Sequence, residues 1–180
     1  MHLIFRPMDE ASARAILAWR YDEPYTLYNA DPANLAGDLA GFMDPANSYY
    51  SVLDERDQVV AFRCFGPDAR VSGGDYSADA LDTGGGLRPD LTGRGLGLAV
   101  LNAGLDHGRR IYHPRAVRVT VAAFNARALR VCAKAGFQPV QTFRRASDGK
   151  DFVVMMREDE EGGAGAMPPR DNLPSLQSHE

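Results

Sequence analysis

The chain has only two cysteines, Cys64 and Cys132, in 180 residues. Two is too few for a disulfide framework, and their separation lacks the paired spacing of a zinc site. Such sparse usage fits reduced thiols, so a cytoplasmic protein without a metal is expected. Positive charge is also short, with 20 Lys and Arg against 24 Asp and Glu and a net charge of −4. That balance lacks the basic face of a general nucleic-acid binder, and no nucleic-acid partner is expected. No apolar run approaches the length of a membrane span. The apolar start is cut short at Arg6 and Pro7, unlike a secretory signal, so no membrane partner is expected either. No internal repeat is visible. What remains is enough chain for one domain with its own core.

The sequence does have glycine, 18 in all, and three of them alternate within residues 91–101, LTGRGLGLAVL. Gly93, Gly95 and Gly97 stand where an apolar helical pattern begins. A helix start carries unsatisfied N–H donors and the positive end of the macrodipole, so a bare loop there suits a phosphate or pyrophosphate. A Walker loop would require Gly, four residues, then Gly-Lys-Ser/Thr, and the chain has none. A dinucleotide fingerprint starting at Gly93 would need glycine at position 98, which is Leu98. A turn used only for tight packing is the other reading of these glycines.

The surrounding pattern alternates strands and helices. Residues 2–6 read as a strand stopped by Pro7, and Asp9 caps a helix to about Trp19. The aromatic, acidic segment 21–28 breaks that helix, and a second helix runs from about Pro32 to Met43. Residues 48–53 and 58–65 read as a hairpin across the polar turn 54–57. A loop spans 66–77, and a central strand spans roughly 78–87. After the glycine loop, Leu98, Leu101 and Leu105 mark the buried face of a helix. A strand at 116–123 places Val117, Val119 and Val121 on one side. Asn125 caps the next helix, which Lys134 and Gly136 close. A final hairpin, 137–144 and 152–157, turns at 147–150. From 158 to 180 the chain is acidic and then rich in Gly, Pro and Ser, which predicts a disordered tail after a domain of residues 1–157.

The ordered set of strand 80–89, glycine loop, helix, strand 117–121, Asn125-Ala-Arg-Ala128 helix and Gly136-Phe137 ending resembles the GCN5-related N-acetyltransferase (GNAT) superfamily. The resemblance implies an α+β, three-layer α/β fold. In it, one domain would carry a central mixed, mostly antiparallel sheet, splayed at the cofactor site, with helices on both faces. It also implies acetyl-CoA as acyl-donor cosubstrate and a small-molecule or peptide amine as acceptor, in a monomer or homodimer. The pantetheine arm would bond to the edge at Leu87 and Arg88 as an added strand. Backbone amides from Gly93 through Arg94, Gly95, Leu96 and Gly97 would hold the pyrophosphate. Arg94 or Arg88 would add charge. Thr92 stands among these contacts at a position where the family pattern has Gln or Arg. Asn125 would help fix the pantetheine arm besides capping its helix. Ala128 belongs to the same motif and is counted with the cofactor contacts. Gly136-Phe137 reads as a helix cap followed by a core aromatic.

Acyl transfer needs a deprotonated amine, a polarised carbonyl and a leaving thiolate. An alkyl amine has a pKa near 10.4, so a proton must leave it near neutrality. Asp82 is the first candidate base, Asp79 the second, and a water relay the third. Each aspartate also reads as a solvated strand-end group. The Leu87 N–H is the candidate for polarising the carbonyl. Cys132 stands where many relatives carry a thiolate-protonating tyrosine. It reads either as a proton donor or as a small buried helix residue. Asp22, Tyr25 and Tyr28 would line the acceptor side. The expected activity is N-acetylation of a primary amine by direct attack. A CoA-binding module without chemistry, serving sensing or assembly, is the alternative.

Overall fold

A computed structural model describes residues 2–158. The expected tail lies outside the described residues, except Glu158, which closes the last strand. Seven strands and four helices follow in the order β1 (Ile4–Pro7), α1 (Glu10–Leu17), α2 (Leu35–Met43), β2 (Tyr50–Leu53), β3 (Val59–Phe65), β4 (Leu81–Leu87), α3 (Gly97–Tyr112), β5 (Ala116–Ala122), α4 (Ala126–Lys134), β6 (Gln138–Arg144) and β7 (Asp151–Glu158). The strands form one mixed sheet ordered β1-β2-β3-β4-β5-β7-β6. Every neighbouring pair is antiparallel except β4 and β5.

Local chemistry sets the helix ends. Asp9 accepts the Ser12 N–H at 2.7 Å to start α1. Asp31 caps a 3-10 turn, Pro32–Asn34, so the regular part of α2 begins at Leu35, three residues after the expected start. His113, left-handed at φ 46°, ends α3 just before Pro114. Gly136, at φ +90°, ends α4. The central strand is shorter than expected. Residues 78–80 stay outside it because the Ala78 carbonyl accepts from Arg118 instead of extending a ladder.

Helices α3 and α4 cover one sheet face, where Leu101 and Leu105 meet Val117, Val119, Val121, Met155, Phe137 and Cys132. Val100 extends that layer over Val52 and Ala61. On the opposite face, Phe62 of β3 packs near Trp19 and Phe42, at ring separations of 6.1 and 5.6 Å. Beyond β4 that face is covered by the 66–80 loop. There the Tyr76 hydroxyl lies 3.0 Å from Thr120 Oγ1, and the Arg118 guanidinium sits 4.9 Å from the Tyr76 ring centre.

His107 of α3 stacks on Phe5 at 4.5 Å and meets Tyr50 edge-on at 4.5 Å. Its Nε2 is buried and finds no hydrogen-bond partner among the described residues. Burial, followed by the nearby Arg110 charge, holds its pKa below the ordinary 6.5. The folded state therefore favours neutral His107, and unfolding takes up a proton as pH falls below 6.5. Unfolding stability should decline from pH 7 toward pH 5.5 in the native sequence. His107→Phe should flatten that decline, as read by chemical denaturation across the range.

Candidate active site

The site begins where β4 and β5 part. These strands pair only at Leu81↔Val117 and Asp82↔Arg118. Past that point β4 stays with β3 as far as Leu87, while β5 stays with β7 as far as Ala122. The result is a wedge-shaped gap with an unpaired strand edge on each side. Arg88 N–H donates to Val60 O at 2.8 Å, and Gly66 N–H to Asp82 O at 3.1 Å. Antiparallel bonding alternates along a strand, so Gly85 and Leu87 turn their N–H and C=O groups into the gap.

At the mouth of the gap lies the glycine loop. Gly93 and Gly95 adopt φ of +75° and +79°, which a side chain would resist. A methyl group on Gly95 would meet nothing within 4 Å, so the backbone there is bare. The first backbone bond of the loop–helix junction is Val100 N–H to Leu96 O at 3.1 Å. Among the described residues, the amides from Gly93 to Ala99 find no protein acceptor. Leu96 takes the cap position of α3 with no side-chain bond. Thr92 turns its hydroxyl back to Pro89 O at 2.8 Å and so stiffens the approach to the loop. Gly97 brings α3 close to Val131 of α4, 3.3 Å from where a Cβ would stand.

The two candidate arginines have different surroundings. Arg88 is engaged by Asp90 at 2.7 Å and by Val59 O at 3.1 Å. Arg94 is exposed beside the bare amides. A third, Arg127, stands 3.8 Å above the Tyr25 ring centre, and its Nη1 is 3.8 Å from where a Gly93 Cβ would be. Sequence reasoning left it out of the site, although the Asn-x-Arg spacing contained it.

Asn125 caps α4 through Ala128 N–H at 3.1 Å, and its Nδ2 donates to the Tyr28 hydroxyl at 3.0 Å. The cap therefore occupies the Ala128 amide and also ties α4 to the 21–28 segment. Tyr21 was likewise missed. Its hydroxyl donates to Leu87 O at 2.8 Å, joining the same segment to the end of β4. Burial, and then the neighbouring Tyr28, push the Tyr21 phenol up to about 12, so it stays protonated near neutrality. Tyr25 and Tyr28 lie 6.0 and 6.2 Å from the ring of Phe124. Burial also raises the Tyr28 phenol, against the Asn125 hydrogen bond. Beside this aromatic wall is a pocket of about 380 Å³ lined by Glu23, Pro24, Thr26, Leu27, Phe124 and Lys150. Asp22 is exposed on the same segment.

The aspartates sit elsewhere. Asp82 accepts from Arg118 at 2.6 and 3.0 Å and from Arg70 at 2.6 Å. The Asp82 and Arg118 side chains are only 4% and 1% exposed. Five residues of strand separate Asp82 from Leu87, about 16 Å. Asp82 is thus engaged as the ionic clasp of the strand junction. Asp79 is in the exposed loop before β4, still farther from Leu87, and not on the strand as expected. Cys132 is 6% exposed in the α3–α4 core. Burial raises its thiol pKa, and Arg63 lowers it by a smaller effect.

A split sheet with a glycine cradle at its mouth defines an N-acetyltransferase-type fold. The chain belongs to the acetyltransferase (GNAT) domain family, whose model matches residues 2–138. Among solved structures it is similar to a spermidine N-acetyltransferase chimera built from Vibrio cholerae SpeG and hSSAT. Identity there is 18%, coverage is 90% of this chain and 99% of that one, and the TM-score is 0.64. It is also similar to the aminoglycoside acetyltransferase AAC(6')-Ib in complex with coenzyme A. In that case identity is 16%, coverage 88% and 96%, and the TM-score 0.70. At these identities the likeness is one of fold. No curated protein matches the sequence closely. No helix among the described residues is long and apolar enough to cross a membrane, and none of their side chains group as a metal site.

Breaking a buried ion pair on one side leaves an uncompensated charge and costs about 3–5 kcal/mol. Asp82→Leu, which strips the buried Arg118 guanidinium of its carboxylate, should lower unfolding stability by about that amount in urea denaturation. Adding Arg118→Leu to it should recover much of the loss, whereas a solvated aspartate at position 82 would give two small, additive effects.

Proposed function

We propose that this protein transfers the acetyl group of acetyl-CoA to a primary amine by direct attack. The observation that carries this reading is the continuity of free backbone donors. Gly85 and Leu87 face the gap, and the amides of Gly93–Ala99 stand open at its mouth. A pyrophosphate fits the loop because its oxygens can approach a backbone that no Cβ shields. Arg94 and Arg127 supply charge beside it. The pantetheine arm fits the open β4 edge, and Asn125 lies across from it at the head of α4.

Within that arrangement the Leu87 N–H polarises the acetyl carbonyl by donating to its oxygen. The Tyr21 hydroxyl, holding Leu87 O at 2.8 Å, fixes the peptide that follows. The acceptor approaches along the wall of Tyr25, Tyr28 and Phe124. The carboxylates of Asp22 and Glu23 draw a cationic amine toward it. Since the strand-junction clasp occupies Asp82, water takes the amine proton. The spermidine and aminoglycoside acceptors named for the similar structures are amines of this kind. The alternative, a CoA-binding module without turnover, is favoured by one observation: two of the three titratable candidates, Asp82 and Cys132, are buried in structural roles.

Thiol release from acetyl-CoA, followed across polyamines, aminoglycosides and lysine peptides, separates the two. Acceptor-dependent release supports the transferase, and CoA binding with no acceptor-dependent release supports the module. Gly95→Val would load a left-handed position and shield the adjacent amides. It should weaken CoA binding by about tenfold or more, roughly 1.4 kcal/mol, in calorimetry.

A further inference from the structure

Arg63 of β3 is an arginine at 9% exposure without a counter-charge. Among the described residues, no carboxylate or other acceptor meets its guanidinium, whereas Arg118, the other deeply buried arginine, has Asp82. It lies on the α3 face of the sheet, in a slot made by two glycines. A methyl group on Gly104 would stand 2.9 Å from its Nε, and one on Gly85 would stand 3.1 Å from Nε and Cζ. Gly85 is the partner of Arg63 across the β3–β4 ladder and is one of the residues whose amide faces the gap. Arg63 is not among the fully enclosed unpartnered groups, so its nitrogens border open space. Its charge also acts on the Cys132 thiol, lowering its pKa against the larger effect of burial.

The position along α3 identifies which end of the donor this charge serves. Gly104 follows Gly97 by seven residues, about 10 Å along the helix axis. The guanidinium therefore lies inward of the phosphate cradle, on the side where the pantetheine arm ends in sulfur. A buried, unpaired charge costs several kcal/mol, and guanidinium does not escape that cost by losing its proton. A site that develops negative charge during turnover supplies the missing partner.

We infer that Arg63 is the thiolate-stabilising residue of the transfer step, its guanidinium forming the charged floor of the β4–β5 gap beneath the sulfur of CoA. The inference rests on the acetyl-CoA reading of that gap. The amine nitrogen attacks the carbonyl carbon and a C–N bond forms. The C–S bond then breaks, and its electron pair leaves on sulfur as thiolate. The amine proton passes to water. Arg63 keeps its own protons and holds the anionic sulfur until solvent protonates it, so Cys132 need not act as an acid.

The test uses free CoA as the probe and needs no acceptor. Its thiolate is followed by ultraviolet absorbance in complexes with the native protein, Arg63→Met and Arg63→Lys across a pH series. The thiolate fraction near neutrality should fall about tenfold in Arg63→Met, the equivalent of one pKa unit. Arg63→Lys should restore a large part of it. Binding of desulfo-CoA should be equal in all three. Equal thiolate fractions would overturn the inference, as would a parallel loss of desulfo-CoA binding, which marks a merely structural arginine. If Arg63→Met does not fold, Gly104→Ala crowds Nε with the charge retained and should lower the thiolate fraction in the same direction. No change there would also overturn it. Native protein that binds no CoA at all would sink the acetyl-CoA reading itself, and the inference with it.

Discussion

The junction of β4 and β5 is the constraint from which the rest of the site follows. Two residue pairs join the strands, and at the second the side chains of Asp82 and Arg118 lock together out of water. Parallel strands have no hairpin to hold them in register. A bidentate ion pair supplies that register, and Arg70 and the Tyr76 ring close over it. Because the clasp is confined to one end, the strands can diverge beyond it without the sheet coming apart. The divergence leaves two open edges, on one of which the Tyr21 hydroxyl takes the Leu87 carbonyl while the Gly85 and Leu87 amides find no protein acceptor among the described residues.

Small residues let the gap and its mouth be built from backbone. Gly85 and Gly104 admit the Arg63 side chain, Gly97 lets α3 approach α4, and Gly108 leaves space for Phe65. Around this bare backbone stand the aromatic side chains of the 21–28 segment. Tyr21 ties that segment to the end of β4 and Tyr28 ties it to the head of α4. Thus the segment that sequence reading treats as a helix-breaking loop connects the two arms of the split.

The sequence made the elements legible where the signal is local. Asp9 and Asn125 cap the helices expected of them, and alternate Val117, Val119 and Val121 mark the buried face of β5. Gly93 and Gly95 lead into the helix expected there, and the structure adds that both take left-handed backbone. Long-range pairings were not legible. Nothing near Asp82 announces that Arg118, 36 residues away, occupies its carboxylate. A strand-end aspartate and a clasped one look alike in sequence. Nothing local in the sequence singles out Arg63; its setting depends on Gly85 and Gly104, which the fold packs against it. Arg127 belongs to the Asn125–Ala128 motif in sequence, but its place beside Tyr25 and Gly93 comes only from the fold.

The central claim is that the free amides of the gap and its mouth are one continuous binding surface. Amide-resolved NMR during titration with acetyl-CoA tests it most directly. Gly85, Leu87 and the run from Gly93 to Ala99 should shift together at a single saturation point, while amides of β1 and β6 stay in place. Saturable binding that leaves Gly85 and Leu87 unmoved, or no binding, would contradict it.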